Sequence, residues 1–521
     1  MTLLFLYGYL SLLVSAAVNS MFVRQSKFRH VFGTAATKDK SYEGFKVSNS
    51  EFEGNYIAAN EKFIAFAVDV SGGGAFQVIP VEKTGRLEEK LPKVFAHKDY
   101  VLDLQWNPFN DNMLASCSAD GTIRIWEIPE DGLSVDFTAE DNALLGLDYH
   151  HGKRCTQLQW HPIASNVLIS VSEEPKICVW NLDDGTVETE IEFVDTVYSA
   201  HWSMKGDKIV VAGKDKKFRI YDARTGNLLL EGNGHEGSKP QRAIFTFDDK
   251  YIFSTGFSKM NERQYGVWNA YDLTSLDLEE LDTANGALIP TYDPDTQLVY
   301  LAAKGDSNIR YYELVDKAPF YYYIATFQSN SPQKGLAPIP KRSVDVTTHE
   351  IMRFYKLHGT KTGYIEPISF TVPRKTDHFQ ADLYPPAVSV VAAQEADEWF
   401  EGTDLPPNRI DMEFKTSATG GKTEGLSKEG GLSKGGLSKK GGLSKEGGLK
   451  KGGGLKKEVA KIDEEPPLEL TGDKMLDELR AEIRKLKEKD AKLEKEVASL
   501  GLDIKLLCNA VDTTEECSAN P

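Results

Sequence analysis

The sequence predicts an all-β fold, a seven-bladed β-propeller, followed by a disordered linker and a C-terminal α-helical coiled coil. Three observations carry this. A unit of alternating strands and turns recurs roughly every 45 residues between residues 60 and 375. A Gly-, Lys- and Ser-rich stretch follows it. Beyond Pro466-Pro467, apolar residues recur by threes and fours, the spacing of one helix face.

The clearest unit runs from Ala96 to Ile128. It contains the runs VLDLQW, MLASCS and TIRIWEI, separated by the turn-formers Asn107-Pro108 and Asp120-Gly121. This is the WD-repeat pattern. Its physical content is a buried polar network of His97, a hydroxyl from Ser116 or Ser118, the turn residue Asp120 and the indole N–H of Trp126, each satisfying another's hydrogen-bonding group. The same His/Ser/Asp set could be read as catalytic, but it recurs as scaffold in this fold class. A second unit spans His151 to Leu182, with Glu174 where the turn Asp is expected, which predicts a weakened network. Further units centre on Tyr221, Trp268 and Tyr312, and weaker ones on Val78 and Phe354. Taking Val78, Trp126, Trp180, Tyr221, Trp268, Tyr312 and Phe354 as matching third-strand positions gives spacings of about 41–54 residues, a blade plus loop insertions. Seven blades close a ring and leave no open sheet edge. A segment between Met21 and Gly33 is expected to complete the closure.

Composition narrows the function. The 521-residue chain has a formal net charge of −17, which excludes general nucleic-acid binding. Cys117, Cys155, Cys178, Cys508 and Cys517 show no metal-ligand spacing and suit a reducing compartment. The ATGGKT string near Gly421 has Thr416 where a phosphate loop needs Gly. No HExxH or kinase-type set occurs, so neither an enzyme nor a cofactor is expected. Residues 1–20 are apolar from Leu3 to Val18 and signal-like, but they lack a basic n-region. Met21 is therefore an alternative start.

The strings SKFRHVFG, SGGGAF, GHEGSKPQRAIF, TGFSKMNERQ, YDPDTQLVYLAAKGDSNIRYYEL, IPKRSVDV, EIMRFYKL, FTVPRKTDHFQADLYPP and EWFEG resemble coronin blocks, in coronin order, over residues 22–402. The resemblance implies an F-actin-binding regulator of filament organisation and turnover, located in the cytoplasm at the actin cytoskeleton and cell cortex. It also implies the actin-nucleating Arp complex and cofilin as partners. The family's actin contact includes a basic residue of the N-terminal signature. Carried over, that residue is Arg29, supplemented by Arg24, Lys27 and His30. The resemblance further implies that residues 376–408 pack on the propeller, which spans residues 21–375. A generic WD-repeat adaptor in membrane traffic or signalling is the alternative.

Residues 409–470 are expected to form the linker. Between 415 and 461 it carries 12 lysines and 4 glutamates around loose GGLSK repeats. Such a segment suits either a spacer or a weak electrostatic contact with filaments or anionic membrane. Residues 471–514 carry the coiled coil. Positions a are Leu476, Ile483, Asp490, Val497, Ile504 and Val511, and positions d are Leu479, Leu486, Leu493, Leu500 and Leu507. Glu482 opposite Lys487, and Lys489 opposite Glu494, favour a parallel homo-oligomer. Branched residues at a with Leu at d lean toward two strands. The family resemblance implies a trimer.

Overall fold

The computed structural model describes residues 25–413, apart from positions 53, 89, 148–150, 360–362 and 377. Arg24, residues 1–20, the lysine-rich linker beyond 413 and every coiled-coil position lie outside the described residues.

Seven sheets form the seven blades, antiparallel apart from two short outer pairings, Phe137–Thr138 with Val94–Phe95 and Tyr42–Glu43 with Gly85–Arg86. Their innermost strands are Ile57–Ala59, Val101–Trp106, Cys155–Trp160, Val197–Trp202, Arg242–Thr246, Leu288–Asp293 and Gln333–Pro338. The face where these strands begin is called upper here, and the face where they end is called lower. Second strands such as Met113–Ser118, Val167–Ser172 and Leu298–Ala303 are buried at every position. They read as continuous apolar runs because a sheet covers both of their faces.

Neighbouring blades are stapled along the channel wall by side chains that reach backbone. The Asp103 carboxylate accepts the Leu158 N–H at 2.8 Å. Gln157 donates to the Ala200 carbonyl at 2.8 Å, and Gln159 accepts the Trp202 N–H at 3.2 Å. Each staple satisfies a backbone group of an inner strand that has no further strand beside it.

Val78, Trp126, Trp180, Tyr221, Trp268 and Tyr312 all stand on the third strand of their blades. Phe354 does not. It lies on Glu350–His358, the second strand of the last blade, and the third strand is Gly363–Thr371. The two short 3₁₀ turns Lys341–Ser343 and Val346–Thr348 lengthen this blade ahead of its second strand, so an even spacing lands one strand early.

Closure also differs from expectation. Phe32–Ala35 pairs with Ile368–Thr371, and Tyr42–Phe45 pairs with the earlier part of the same strand, Gly363–Ile365. The seal is thus two short strands interrupted by the 3₁₀ turn Lys38–Lys40, centred C-terminal to residues 21–33. Phe45 fixes the second strand by packing on Gly363, where a Cβ would sit 2.3 Å from its ring. No larger residue fits there.

The segment after Val372 crosses the lower face. Tyr384 donates to the Glu350 carbonyl at 2.9 Å, and Trp399 is fully buried against His161 and Trp202, with ring centroids 4.8 and 5.7 Å away. Arg224 stacks 4.6 Å over the Trp399 ring and donates to the Trp399 carbonyl at 2.6 Å. The packed part extends past residue 408. Arg409–Ile410 pairs with Ala387–Val388, and Met412 is fully buried. Residues 409–413 therefore belong to the packed extension rather than to the linker.

Candidate functional site

The N-terminal signature forms a turn anchored by its apolar residues. Phe28 and Val31 are buried, Ser26 Oγ lies 2.7 and 2.8 Å from the Glu313 carboxylate oxygens, and Tyr311 donates to the Val31 carbonyl at 2.8 Å. With those residues turned inward, Lys27, Arg29 and His30 are left exposed. Lys27 is partly committed, since it donates to the Asp382 carbonyl and lies 5.0 Å from the Phe28 ring centroid. Arg29 makes no ion pair among the described residues. Three residues further on, Phe32 is an aromatic side chain 55% exposed on the closing strand Phe32–Ala35. The structure thus brings Lys27, Arg29 and His30 together on one turn, and it adds Phe32. The signal for Phe32 was the alternation of the string itself: after the buried Val31, the next side chain on a strand points outward.

The second predicted cluster is a directed hydrogen-bond chain. Trp126 Nε1 donates to Ser116 Oγ at 2.9 Å, and Ser116 Oγ lies 2.8 Å from His97 Nε2. His97 Nδ1 lies 2.7 Å from Thr122 Oγ1, which donates to the Asp120 carboxylate at 2.7 Å. Indole can only donate and carboxylate can only accept, so the direction is fixed and His97 carries its proton on Nδ1. Burial lowers the imidazole from its ordinary value to about 4, keeping it neutral. Asp120 closes the chain by accepting the backbone N–H groups of Lys98 and Thr122. The hydroxyl is that of Ser116; Ser118 instead donates to the Asp99 carbonyl. Thr122 was not singled out from the sequence, although its place two residues after the turn Asp marks it. Ser116 is fully buried and engaged on both sides, so this set holds the blade and presents no nucleophile to solvent.

The chain recurs. His151 Nε2 and Trp180 Nε1 meet Ser170 Oγ at 2.7 and 2.8 Å; His235 Nε2 and Trp268 Nε1 meet Ser254 Oγ at 2.9 and 2.5 Å. Glu174 was expected to weaken its blade. Its side chain accepts the Gly152 N–H at 2.7 Å, the duty Asp120 performs for Lys98, but Lys176 stands where Thr122 supplies the relaying hydroxyl, so the Thr–Asp half of the chain is not repeated in this blade. Among the described residues no group of three or more His, Cys, Asp or Glu could hold a metal ion, and no helix is long and apolar enough to cross a membrane.

Comparison with known proteins agrees with this architecture. Residues 21–86 match a family described as "Domain of unknown function (DUF1899)", residues 89–127 match "WD domain, G-beta repeat" and residues 365–407 match "Type of WD40 repeat". The chain is 40% identical over 391 residues to Coronin-2A of Bos taurus, covering 74% of this chain and 73% of the relative. It is 39% identical over 396 residues to Coronin-2A of Homo sapiens, covering 75% and 74%. The crystal structure of the WD40 domain from Toxoplasma gondii coronin superimposes with a TM-score of 0.69 at 30% identity, covering 74% of this chain and 97% of that domain. The blade count, the N-terminal signature and these relatives together place the chain in the coronin family.

Proposed function

We propose that this chain binds actin filaments through the surface around Arg29 and crosslinks them through its C-terminal coiled coil, in the cytoplasm at the cell cortex. The Arp complex and cofilin belong to the same proposal as partners. The observation that carries it is an exposed guanidinium, without an ion pair among the described residues, on a turn anchored by Phe28 and Val31 in a coronin-family propeller. A guanidinium suits carboxylates bidentately, and an acidic protein needs such local anchors to approach an acidic filament.

One propeller with one filament site cannot crosslink, whereas several on one coiled coil can. Linking sites also raises apparent affinity through effective concentration. A flexible linker of about 47 residues reaches roughly 35–40 Å, enough to place neighbouring propellers on different actin subunits. Sedimentation of the full chain with actin filaments tests this, at high speed for binding and at low speed for bundles. Leu493→Asp, which adds a second acid near Asp490 in the seam, is expected to make the protein monomeric, to weaken binding and to abolish bundling. A monomeric variant that bundles at the wild-type level contradicts the crosslinking half of the proposal.

A further inference from the structure

Ser275–Asp282 is the outer strand of the fifth blade and the last strand of its sheet. Its backbone pairs inward with Arg263–Asn269, and among the described residues no backbone group bonds to its other edge. Such an edge is a template for one further strand. It is also acidic without a basic answer. The 40 residues 264–303 contain seven acids and no lysine or arginine. On the two preceding blades, third-strand cations meet the outer-strand acids: Lys176 lies 3.0 Å from Glu190, and Arg219 lies 2.7 Å from Glu231. On the fifth blade the third strand sets Gln264 opposite Glu280, Tyr265 opposite Glu279 and Val267 opposite Asp277. Asp282, at the strand's end, is answered by Arg263 and Arg310 at 2.6 and 2.9 Å. Asp277, Glu279 and Glu280 make no ion pair among the described residues. Tyr265 donates to Glu279 at 2.7 Å, and Tyr321 neighbours Asp277; neutral phenols leave both charges in place.

Residues 277–280 keep strict register, so Asp277 and Glu279 share one face of the strand, and Leu278 and Glu280 share the other. The first face borders an aromatic wall. The Tyr265 ring lies 4.9 Å from Tyr312, and Tyr312 lies 5.6 Å from Tyr323, which is 58% exposed. Tyr312 feels both Tyr323 and Glu279, so an exposed ring and a carboxylate flank one patch, and each attracts a cation. The second face is apolar at Leu278, 42% exposed, and Leu276 precedes it at 39%.

We propose that Ser275–Asp282 is a docking edge for an extended segment of a partner protein in which lysine or arginine alternates with apolar residues. Main-chain pairing along the edge supplies affinity, and alternate side chains supply specificity. The segment's cations meet Asp277, Glu279 and the Tyr323 ring, and its apolar residues cover Leu276 and Leu278. Charge selects this occupant. A second copy of the same edge, a nucleic acid and an anionic membrane all carry the repelling sign. An acidic filament does too, so this surface stands independently of the basic Arg29 turn.

Fluorescence anisotropy of a labelled Lys-Val-Lys-Val-Lys-Val-Lys peptide, titrated with the full chain at constant ionic strength, tests the proposal. Saturable binding is expected. A peptide of the same composition with its lysines and valines in separate blocks should bind at least fivefold more weakly. The double variant Glu279→Gln with Glu280→Gln should weaken binding at least tenfold. Glu188→Gln with Glu192→Gln removes the same charge from the outer strand Thr186–Glu192 and should leave binding unchanged. Melting separates lost binding from lost folding, and Glu280→Gln, expected to weaken binding at least threefold, serves alone if the double variant melts early. Absence of saturable binding overturns the proposal, as does equal binding of the two peptides. So does a folded Glu279/Glu280 variant that loses no more affinity than the Glu188/Glu192 variant. A wild-type oligomer that dissociates in the Glu279/Glu280 variant would give the edge to a second copy and overturns it as well.

Discussion

His97 Nδ1 stands 2.7 Å from Thr122 Oγ1, and through that hydroxyl the neutral imidazole reaches the Asp120 carboxylate, whose Oδ1 lies 3.7 Å from Nδ1. The blade is therefore locked by neutral hydrogen bonds that end on one solvent-near acid. Ser116→Ala removes the partner of both Trp126 Nε1 and His97 Nε2 in a dry core. Leaving buried polar groups unsatisfied costs about 1–3 kcal/mol each, so a loss of roughly 2–4 kcal/mol is expected in urea unfolding. Thr122→Ser should keep the chain and lose under about 1 kcal/mol, whereas Thr122→Val cuts it and should lose about 1–3 kcal/mol. Equal behaviour of Ser and Val at position 122 would contradict the relay.

Stability is expected to rise with pH between about 4 and 6.5. Burial holds His97 and His235 down to about 4, and His161 and His201 down to about 3, from an ordinary 6.5. In that window the unfolded chain binds protons that the folded chain refuses, so this stability is complete above the unfolded value and is lost as pH falls. Asp103 acts in the opposite sense. Its carboxyl, raised to about 7, is protonated in the folded state and ionised in the unfolded one, so its contribution is present at low pH and fades as pH rises through 7. Four imidazoles outweigh the three carboxyls that burial raises, Asp103, Asp249 and Asp295. Urea midpoints measured from pH 4.5 to 7.5 check this, and a flat or falling profile below 6.5 would contradict it.

The extension is expected to be part of the folding unit. Trp399→Ala empties a fully buried indole site between His161, Trp202 and Arg224, and should destabilise by about 3–5 kcal/mol. A fragment ending at residue 405 lacks the Arg409–Ile410 strand and buried Met412, so it should be digested faster by protease than one ending at 413. Both should be monomeric in light scattering, because the propeller closes on itself. Equal protease resistance of the two fragments would show that residues 409–413 hold nothing.

Cys117, Cys155 and Cys178 are buried, and burial pushes the thiols of Cys117 and Cys178 up, the latter to about 12. Thiolate is the reactive form, so these three of the five cysteines should not react with a thiol reagent until the chain unfolds. Rapid titration of more than two thiols in the native protein would contradict this.

The propeller was legible because its repeat has a period and its hallmark residues have fixed chemistry: Trp126 and Trp180 read at once. The last blade misled because even spacing cannot see the turns at Lys341–Ser343 and Val346–Thr348 that set Phe354 on the second strand. Closure by Tyr42–Phe45 was hidden because a four-residue strand without repeat context carries little periodicity. Glu174 was legible as a changed turn residue, while the reach of its side chain to the Gly152 N–H is a matter of geometry. The reading of Arg29 as a filament contact rests on its family string alone, since nothing in composition separates it from other surface charges.

The most direct test of the central claim is high-speed co-sedimentation of the full-length Arg29→Asp variant with actin filaments, beside the wild-type chain at matched salt. Charge reversal at a true contact replaces attraction with repulsion and should exceed the roughly 0–1 kcal/mol of an ordinary exposed pair, lowering filament affinity at least fivefold while the melting temperature stays unchanged. Wild-type affinity in a variant shown to be folded would contradict the account and move the filament site away from the Arg29 turn.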